Sequence, residues 1–217
     1  MRRCRFKSWD LINWMAGFGG YKTYLEVGVG RGRNFNKISI PDKCGVDPNC
    51  DTTFRMTSDD FFKSNRRVFD AIFIDGLHHA VQVLRDISNS LSVLNPGGAI
   101  VIHDCNPQTE EQQVVPQASK IWTGDVWKAW VILRATRSDL NMAAIDMCRL
   151  RCGCGVIQMG HQEPLLIGIG LDGLNWKSLE TNRSEWLNLV SLENFKVGFL
   201  SRKNPEKGVD GFPARAV

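Results

Sequence analysis

Residues 21–36 read YKTYLEVGVGRGRNFN. Tyr21 to Val27 is apolar and rich in residues that favour extended backbone, which predicts a strand, with Glu26 near its carboxyl end. Gly28, Gly30 and Gly32 follow at alternate positions. Glycine takes backbone angles that other residues resist, so such a turn can approach a neighbouring chain or a ligand closely. A short helical stretch is expected near Asn34 to Ile38, and a helix start offers unpaired N–H groups to an anion. Strand, acid, glycine turn and helix together read as the opening unit of an α/β sheet.

The same alternation continues downstream. Lys43 to Val46 predicts a second strand closed by Asp47-Pro48, and Thr52 to Met56 a third. Ser58-Asp59-Asp60 offers an N-cap with acidic first-turn residues ahead of Phe61-Phe62. Phe69 to Ile74 is a continuous apolar run ended by Asp75-Gly76. Ala80 to Leu94 carries apolar side chains at 80, 81, 84, 87, 91 and 94, which is helical spacing. Asn95-Pro96-Gly97-Gly98 breaks that helix, and Ala99 to Ile102 is a strand ended by His103-Asp104. Apolar runs separated by helices are the mark of parallel strands covered on both faces. The reading is a single-domain α/β fold, a doubly wound, mostly parallel seven-stranded sheet, whose ligands lie beyond the carboxyl ends of the strands. Glu26, Asp47, Ser58, Asp75, His103 and Asp104 all stand at those ends, which is the reason to expect an enzyme.

The second half is less regular. Residues 1–20 are expected to form an N-terminal helical cap. Cys105 to Lys120 is polar, contains two prolines and has no period, so residues 105–135 read as a lid or substrate region. Trp122 to Arg134 predicts a helix with Trp127, Trp130 and Val131 on one side; Trp122, Trp127 and Trp130 are expected in the core. Asn141 to Met147 and Gly155 to Met159 predict strands that finish the sheet. Leu174 to Phe195 predicts one or two helices, and the tail after Arg202 is expected to be loose. There is no internal repeat and no domain-scale linker.

A chain of 217 residues can bury roughly 70% of its unfolded surface without disulfides or metals. Its 43% hydrophobic and 23% charged content is ordinary for a globular domain. The net charge of +4 gathers in Arg2, Arg3, Arg5 and Lys7 and again in Arg202, Lys203 and Lys207, and these read as solvated ends. No basic strip interleaved with aromatics marks a nucleic-acid partner. No apolar run approaches the roughly 20 residues a membrane span needs, and Asp10 and Asn13 interrupt any signal-peptide core. Seven cysteines without a secretory signal read as reduced thiols of a cytoplasmic protein, so the sequon Asn182-Arg183-Ser184 carries no meaning. Cys148, Cys152, Cys154 and His161 match no common closed zinc site, and buried thiols are expected there.

The glycine spacing narrows the ligand. A dinucleotide fingerprint places its third glycine where this chain has Arg33; here the glycine comes one position earlier, at Gly32. Glu26 can accept from an ammonium, and Asp47 at the end of the next strand can grip both hydroxyls of a ribose. With Ile74-Asp75-Gly76-Leu77-His78 and the later His103-Asp104 pair, residues 21 to 107 resemble the class I S-adenosylmethionine-dependent methyltransferases, a Rossmann-like fold. Within these the chain is similar to the family that carries strand-end "IDGLH" and "HD" motifs. The resemblance implies Glu26, Gly28, Gly30 and Gly32 around the methionine part of S-adenosylmethionine, Asp47 on the ribose, Thr57 and Ser58 beside the adenine, and Asp75 at the adjoining strand end. Gly124-Asp125-Val126-Trp127-Lys128 is similar to the stretch that follows the covering loop in such relatives; on their own, Asp125 and Lys128 read either as groups that order the lid or touch substrate or as an exposed helix face.

Two chemistries fit the strand-end cluster. In one, His103 or His78 is a general base, suited by a pKa near neutrality. In the other, Asp75, His103 and Asp104 hold a divalent metal that binds the acceptor oxygen and lowers its pKa; an imidazole there favours manganese, iron or zinc over magnesium. His79, at a helix start, is expected to face solvent. Asp104-Cys105-Asn106-Pro107 replaces the Asn/Asp-Pro-Pro-aromatic signature of nitrogen methylation, so the acceptor is expected to be an oxygen of a small molecule or glycan. The alternatives are a nicotinamide-dependent oxidoreductase on the same fold and a catalytically inert cofactor-binding subunit.

Overall fold

The computed structural model describes residues 6–146, 152–168 and 173–203. Strands β1 (Thr23–Val27), β2 (Asp42–Val46), β3 (Phe69–Ile74), β4 (Leu94–His103), β5 (Leu140–Ile145), β6 (Cys154–Met159) and β7 (Leu189–Val190) form one sheet in the order β2-β1-β3-β4-β6-β5-β7. β6 runs antiparallel to β4 and β5, and the remaining pairs are parallel. Helices α1 (Ser8–Gly19) and α7 (Leu192–Lys203) cover one face. α2 (Ser58–Ser64), α3 (Ala80–Ser92), α5 (Val126–Thr136) and α6 (Trp176–Trp186) cover the other. The short α4 (Glu110–Gln113) lies in the segment between β4 and α5. Alternate residues of each central strand enter opposite layers: Leu25, Ile72 and Ile100 on one side, Tyr24, Ala71 and Val101 on the other, all buried. Both faces are therefore apolar, as the unbroken runs in the sequence predict.

Register decides where the site lies. Val27 pairs with Val46 and with Ile74, and Ile74 pairs with Ile102. The residues just beyond, Gly28, Asp47, Asp75 and His103, thus leave the sheet level with one another. From β1 the chain goes first to β2 on one side and then to β3 on the other, so these residues flank a topological switch point, where ligands of open α/β sheets bind.

Several expectations need correction. Thr52 to Met56 is not a strand but a single bridge from Phe54 to Val46. The Thr53 hydroxyl accepts from Gly45 N–H at 3.1 Å, so a side chain takes the place of a ladder carbonyl and pairing stops. The seventh strand is instead Leu189–Val190, inside the region read as helix. Asn188, in the left-handed conformation at φ 45°, turns the chain there and donates to the Met142 carbonyl at 2.8 Å. Thr57 rather than Ser58 caps α2, accepting from Asp60 N–H. The short helical stretch expected near Asn34 to Ile38 is there, as a 3-10 turn, Phe35–Lys37. α5 begins at Val126, so Trp122 precedes it; Trp127 and Trp130 are core, while Trp122 is half-buried. On α3 the buried positions are Val83, Asp86, Ile87 and Ser90, while Val81 is 70% exposed. Two polar residues on the inward face mislead the apolar pattern. No helix among the described residues is long and apolar enough to cross a membrane.

Candidate active site

A cavity of about 870 Å3 opens at the switch point, beneath Ser8 and Trp9 at the start of α1. The glycine turn forms one wall. Gly28, at φ 87°, sits so close to the Asp75 carbonyl that any β-carbon would collide with backbone. Gly30, at φ 52°, would carry a β-carbon into open space. Its position on the cavity wall makes it a cradle that a side chain would fill.

Glu26 is fully buried behind this turn. Tyr24, two residues earlier and so on the same face of β1, donates its hydroxyl to Glu26 Oε2 at 2.5 Å. Asn34 Nδ2 donates to the same oxygen at 2.8 Å, and the Ser8 hydroxyl donates to Asn34 Oδ1 at 2.9 Å. Burial pushes the Glu26 carboxyl up to about 7, against the pull of the Tyr24 and Asn34 hydrogen bonds. Sequence reading missed Tyr24, Asn34 and Ser8. The two-residue spacing of Tyr24 and Glu26 was a usable signal, whereas the contacts across the turn to residue 34 and on to residue 8 leave no trace in sequence.

Asp47 closes the next wall. Its carboxylate accepts from Gly30 N–H at 2.9 Å and Asn49 N–H at 2.8 Å. Burial would raise this group, but those N–H donors leave it below the usual carboxylate range, so it is ionised. Thr57 and Ser58 also line the cavity.

At the ends of β3 and β4 two carboxylates and two imidazoles meet. His78 Nε2 lies 3.2 Å from Asp75 Oδ1; its Nδ1 lies 3.2 Å from the Trp122 carbonyl and 3.6 Å from Asp104 Oδ2. Both ring nitrogens thus face acceptors, the environment of an imidazolium. His103 Nδ1 lies 3.3 Å from Asp75 Oδ1 and 3.1 Å from Asp104 Oδ1. It is buried between them at ion-pair distance without the alignment of a directed hydrogen bond to either. Burial would lower both histidines, but the two aspartates outweigh it and raise His78, and raise His103 well above the usual range. Burial would likewise raise Asp75, but His103 and His78 hold it well below the ordinary carboxylate range. The expected pKa near neutrality for either histidine is therefore replaced by a raised one. Asp104 adopts φ 62°, an uncommon left-handed conformation outside glycine, with its N–H bonded to Gly153 O at 3.1 Å.

Asp75 and His103 line the cavity, with His78 and Asp104 behind them. The three groups whose ligand atoms all lie within 4.8 Å are Asp75, His78 and Asp104, so His78 rather than the expected His103 completes the metal-capable set among the described residues. Asp125 and Lys128 do not line the cavity. Asp125 Oδ1 accepts from Ala80 N–H at 2.7 Å, capping α3 from outside, and Lys128 lies 3.8 Å from the same carboxylate. His79 meets the edge of Trp122, while His78 stacks on its face with ring centres 5.4 Å apart. In the expected thiol region Cys152 and Cys154 are buried and His161 is exposed beside Glu163; Cys148, like residues 1–5 and the tail beyond 203, lies outside the described residues.

Comparison with known proteins agrees with this geometry. Residues 25–105 match the family model described as a methyltransferase domain. No curated protein matches the sequence. Among solved structures, the chain is similar to the O-methyltransferase from Bacillus cereus in complex with S-adenosylhomocysteine, at 12% identity and TM-score 0.52, over 69% of this chain and 79% of that one. It is also similar to a methyltransferase of Podospora anserina bound to S-adenosylhomocysteine, at 15% identity and TM-score 0.53, over 73% of this chain and 84% of that one. Residues 25–105 are thus similar to a methyltransferase domain, in a chain that shares the α/β, Rossmann-like fold of those methyltransferase structures.

Proposed function

We propose that the cavity binds S-adenosylmethionine and that the protein transfers its methyl group to an oxygen of a small-molecule or glycan acceptor. The observation that carries this reading is the level placement of Gly30, Glu26, Asp47 and the Asp75–His103 pair around one cavity. The open space at Gly30 fits the amino-acid part of the ligand, Glu26 fits its ammonium, and the ionised Asp47 fits a ribose diol. Thr57 and Ser58 stand where the adenine follows. A dinucleotide fits less well: its pyrophosphate needs the N-terminus of a helix, and here a 3-10 turn, Phe35–Lys37, follows the glycines.

When bound, the cofactor supplies a methyl group already activated on a sulfonium. What remains for the chain is alignment, worth up to about 7–11 kcal/mol in ideal cases, and removal of a proton from the acceptor hydroxyl. His103 is placed for the second task. Its Nδ1 is held between Asp75 and Asp104, leaving Nε2 as the ring nitrogen free to meet an acceptor. The two aspartates fix the ring and favour the charged product of proton transfer, and His78 and Trp122 hold those aspartates and the covering segment together. The raised pKa means that His103 must first shed its own proton, to solvent, before it takes one. Residues 105–135 would close over the acceptor, and α1 caps the cofactor end.

A second reading rests on the compact Asp75, His78 and Asp104 set. Two imidazolium protons balance two carboxylates there, and one divalent cation would do the same. Such an ion, held by these three residues, would lower the pKa of an acceptor hydroxyl. Transfer of a labelled methyl group from S-adenosylmethionine to a panel of hydroxylated aromatics and sugars, with and without a chelator, tests both. Transfer that survives chelation and is lost in the His103→Ala/Asp104→Ala variant supports the first reading. Transfer abolished by chelation and restored by manganese supports the second, and no transfer to any acceptor counts against methylation.

A further inference from the structure

The segment between α4 and α5 leaves its apolar side chains on the outside. Residues 114–122 read VVPQASKIW and carry a single charge, Lys120. Trp122 Nε1 donates to the Val114 carbonyl at 2.7 Å and closes the segment into a loop. Below that neck the Thr123 N–H and hydroxyl both donate to the Gln112 carbonyl, at 2.8 and 3.0 Å, and Trp127 Nε1 donates to Gln113 Oε1 at 3.1 Å. Within the loop the Ser119 hydroxyl donates to the Ile121 carbonyl at 2.6 Å, and the Gln117 amide donates to the Ser119 carbonyl at 2.9 Å. These polar groups are spent on one another, while Val114, Val115 and Ile121 are exposed, Ile121 by 48%. The Trp122 ring stacks on His78. Leu77, the residue before His78, is 53% exposed and forms part of the cavity wall two positions beyond Asp75. An apolar rim therefore runs from the cavity wall, past the His78–Trp122 stack, onto the loop. A contiguous apolar surface of this kind marks where a ligand or partner is seated.

We infer that this rim receives the apolar body of the methyl acceptor, so that the substrate is an amphiphilic alcohol whose hydroxyl is carried on an aliphatic chain. This rests on the reading that the cavity takes S-adenosylmethionine, and narrows its acceptor class. Continuity favours the acceptor over a second copy of the chain. Leu77 belongs both to the exposed rim and to the cavity, two residues from the carboxylate that holds His103. An acceptor hydroxyl that reaches His103 leaves the rest of the molecule over Leu77. Sugar hydroxyls laid on leucine, valine and isoleucine would lose water without gaining a partner, whereas methylenes gain by leaving water. One face of Trp122 is already taken by His78, so the rim is aliphatic in character. The closed neck orders the loop beforehand, and covering it costs little conformational freedom.

The test titrates wild-type protein, saturated with S-adenosylhomocysteine, with methyl, hexyl, octyl and phenyl β-D-glucoside below their micellar concentrations, followed by NMR. Hexyl glucoside should bind and methyl glucoside should not. Octyl should bind about fourfold tighter than hexyl, for two further methylenes each covered on one side. Phenyl glucoside should bind more weakly than hexyl. In Leu77→Ser/Ile121→Ser the octyl affinity should fall about tenfold while S-adenosylhomocysteine stays within about threefold of wild type. Both positions are half-exposed, so the core is kept; Ile121→Ser alone should cost about threefold and serves if the double variant does not fold. Leu166→Ser, at an exposed leucine outside the rim, should change nothing. Affinity that ignores chain length, survives the double substitution, falls equally in Leu166→Ser or favours phenyl over hexyl overturns the inference and leaves the cofactor reading intact. So does light scattering that shows a wild-type dimer split by the double substitution, because a second copy then covers the rim. Failure of the wild-type protein to bind S-adenosylhomocysteine overturns both.

Discussion

Glu26 should make the stability of the ligand-free protein fall as pH rises. Burial lifts its carboxyl from 4.5 to about 7, so between those values the folded chain binds a proton that the unfolded chain has released. A folded state that holds the extra proton is favoured at low pH. Its advantage is fully present below about pH 4.5 and gone once pH has passed through about 7. At about 1.4 kcal/mol for each pH unit the whole displacement amounts to ~3 kcal/mol, of which ~2–3 kcal/mol falls between about pH 5 and 8. Glu26→Gln keeps a carbonyl oxygen for Tyr24 and Asn34 and has no proton to lose, so the difference between the two proteins isolates this group. Urea denaturation in half-unit pH steps should show wild type losing ~2–3 kcal/mol relative to the variant across that range. An ammonium beside Glu26 would favour the carboxylate, so affinity for S-adenosylhomocysteine should rise with pH over the same interval in wild type and stay flat in Glu26→Gln. Stability curves parallel to within ~0.5 kcal/mol would refute the argument that burial governs this group.

Four substitutions test other parts of the structure. Gly28→Ala sets a β-carbon against the Asp75 carbonyl, backbone that cannot step aside, and should cost more than ~3 kcal/mol in thermal unfolding. Gly30→Ala meets no atom within 4 Å, so it should cost only ~1–2 kcal/mol for its left-handed backbone yet weaken S-adenosylhomocysteine at least ~10-fold in calorimetry by filling the cradle. His103→Gln should lower turnover by ~10²–10⁴-fold while leaving the calorimetric affinity for S-adenosylhomocysteine within ~3-fold. A Gly124→Ala β-carbon would collide with the His78 carbonyl, so limited proteolysis should cut residues 108–123 faster in the variant than in wild type.

Most of the site lay open in the sequence because parallel strands end level. Once an apolar run is recognised, the polar residue that ends it is a candidate, and Glu26, Asp47, Asp75 and His103 were all found that way. What sequence could not show were the partners supplied from other elements. Asn34 reaches Glu26 only because the turn folds back on β1, and Ser8 arrives from α1. His78 gains its raised proton affinity from Asp75 and then from Asp104, and Asp104 is brought to it by a left-handed backbone conformation that no pattern announces. Asp86 and Ser90 are hidden by the assumption that an inward helical face is apolar, and the hydrogen bond from Ala80 N–H to Asp125 joins two segments that no local pattern links. The edge strand failed for a similar reason: the Thr53 side chain competes with the backbone for Gly45, a local contest that propensity does not settle.

The account stands most directly on which ligand the switch-point cavity accepts. Isothermal titration of the purified chain with S-adenosylhomocysteine, and separately with NAD, measures this. One equivalent of S-adenosylhomocysteine should bind at about micromolar affinity, strongly weakened by Asp47→Ala, while NAD gives no heat. Saturable NAD binding with no response to S-adenosylhomocysteine would contradict the account.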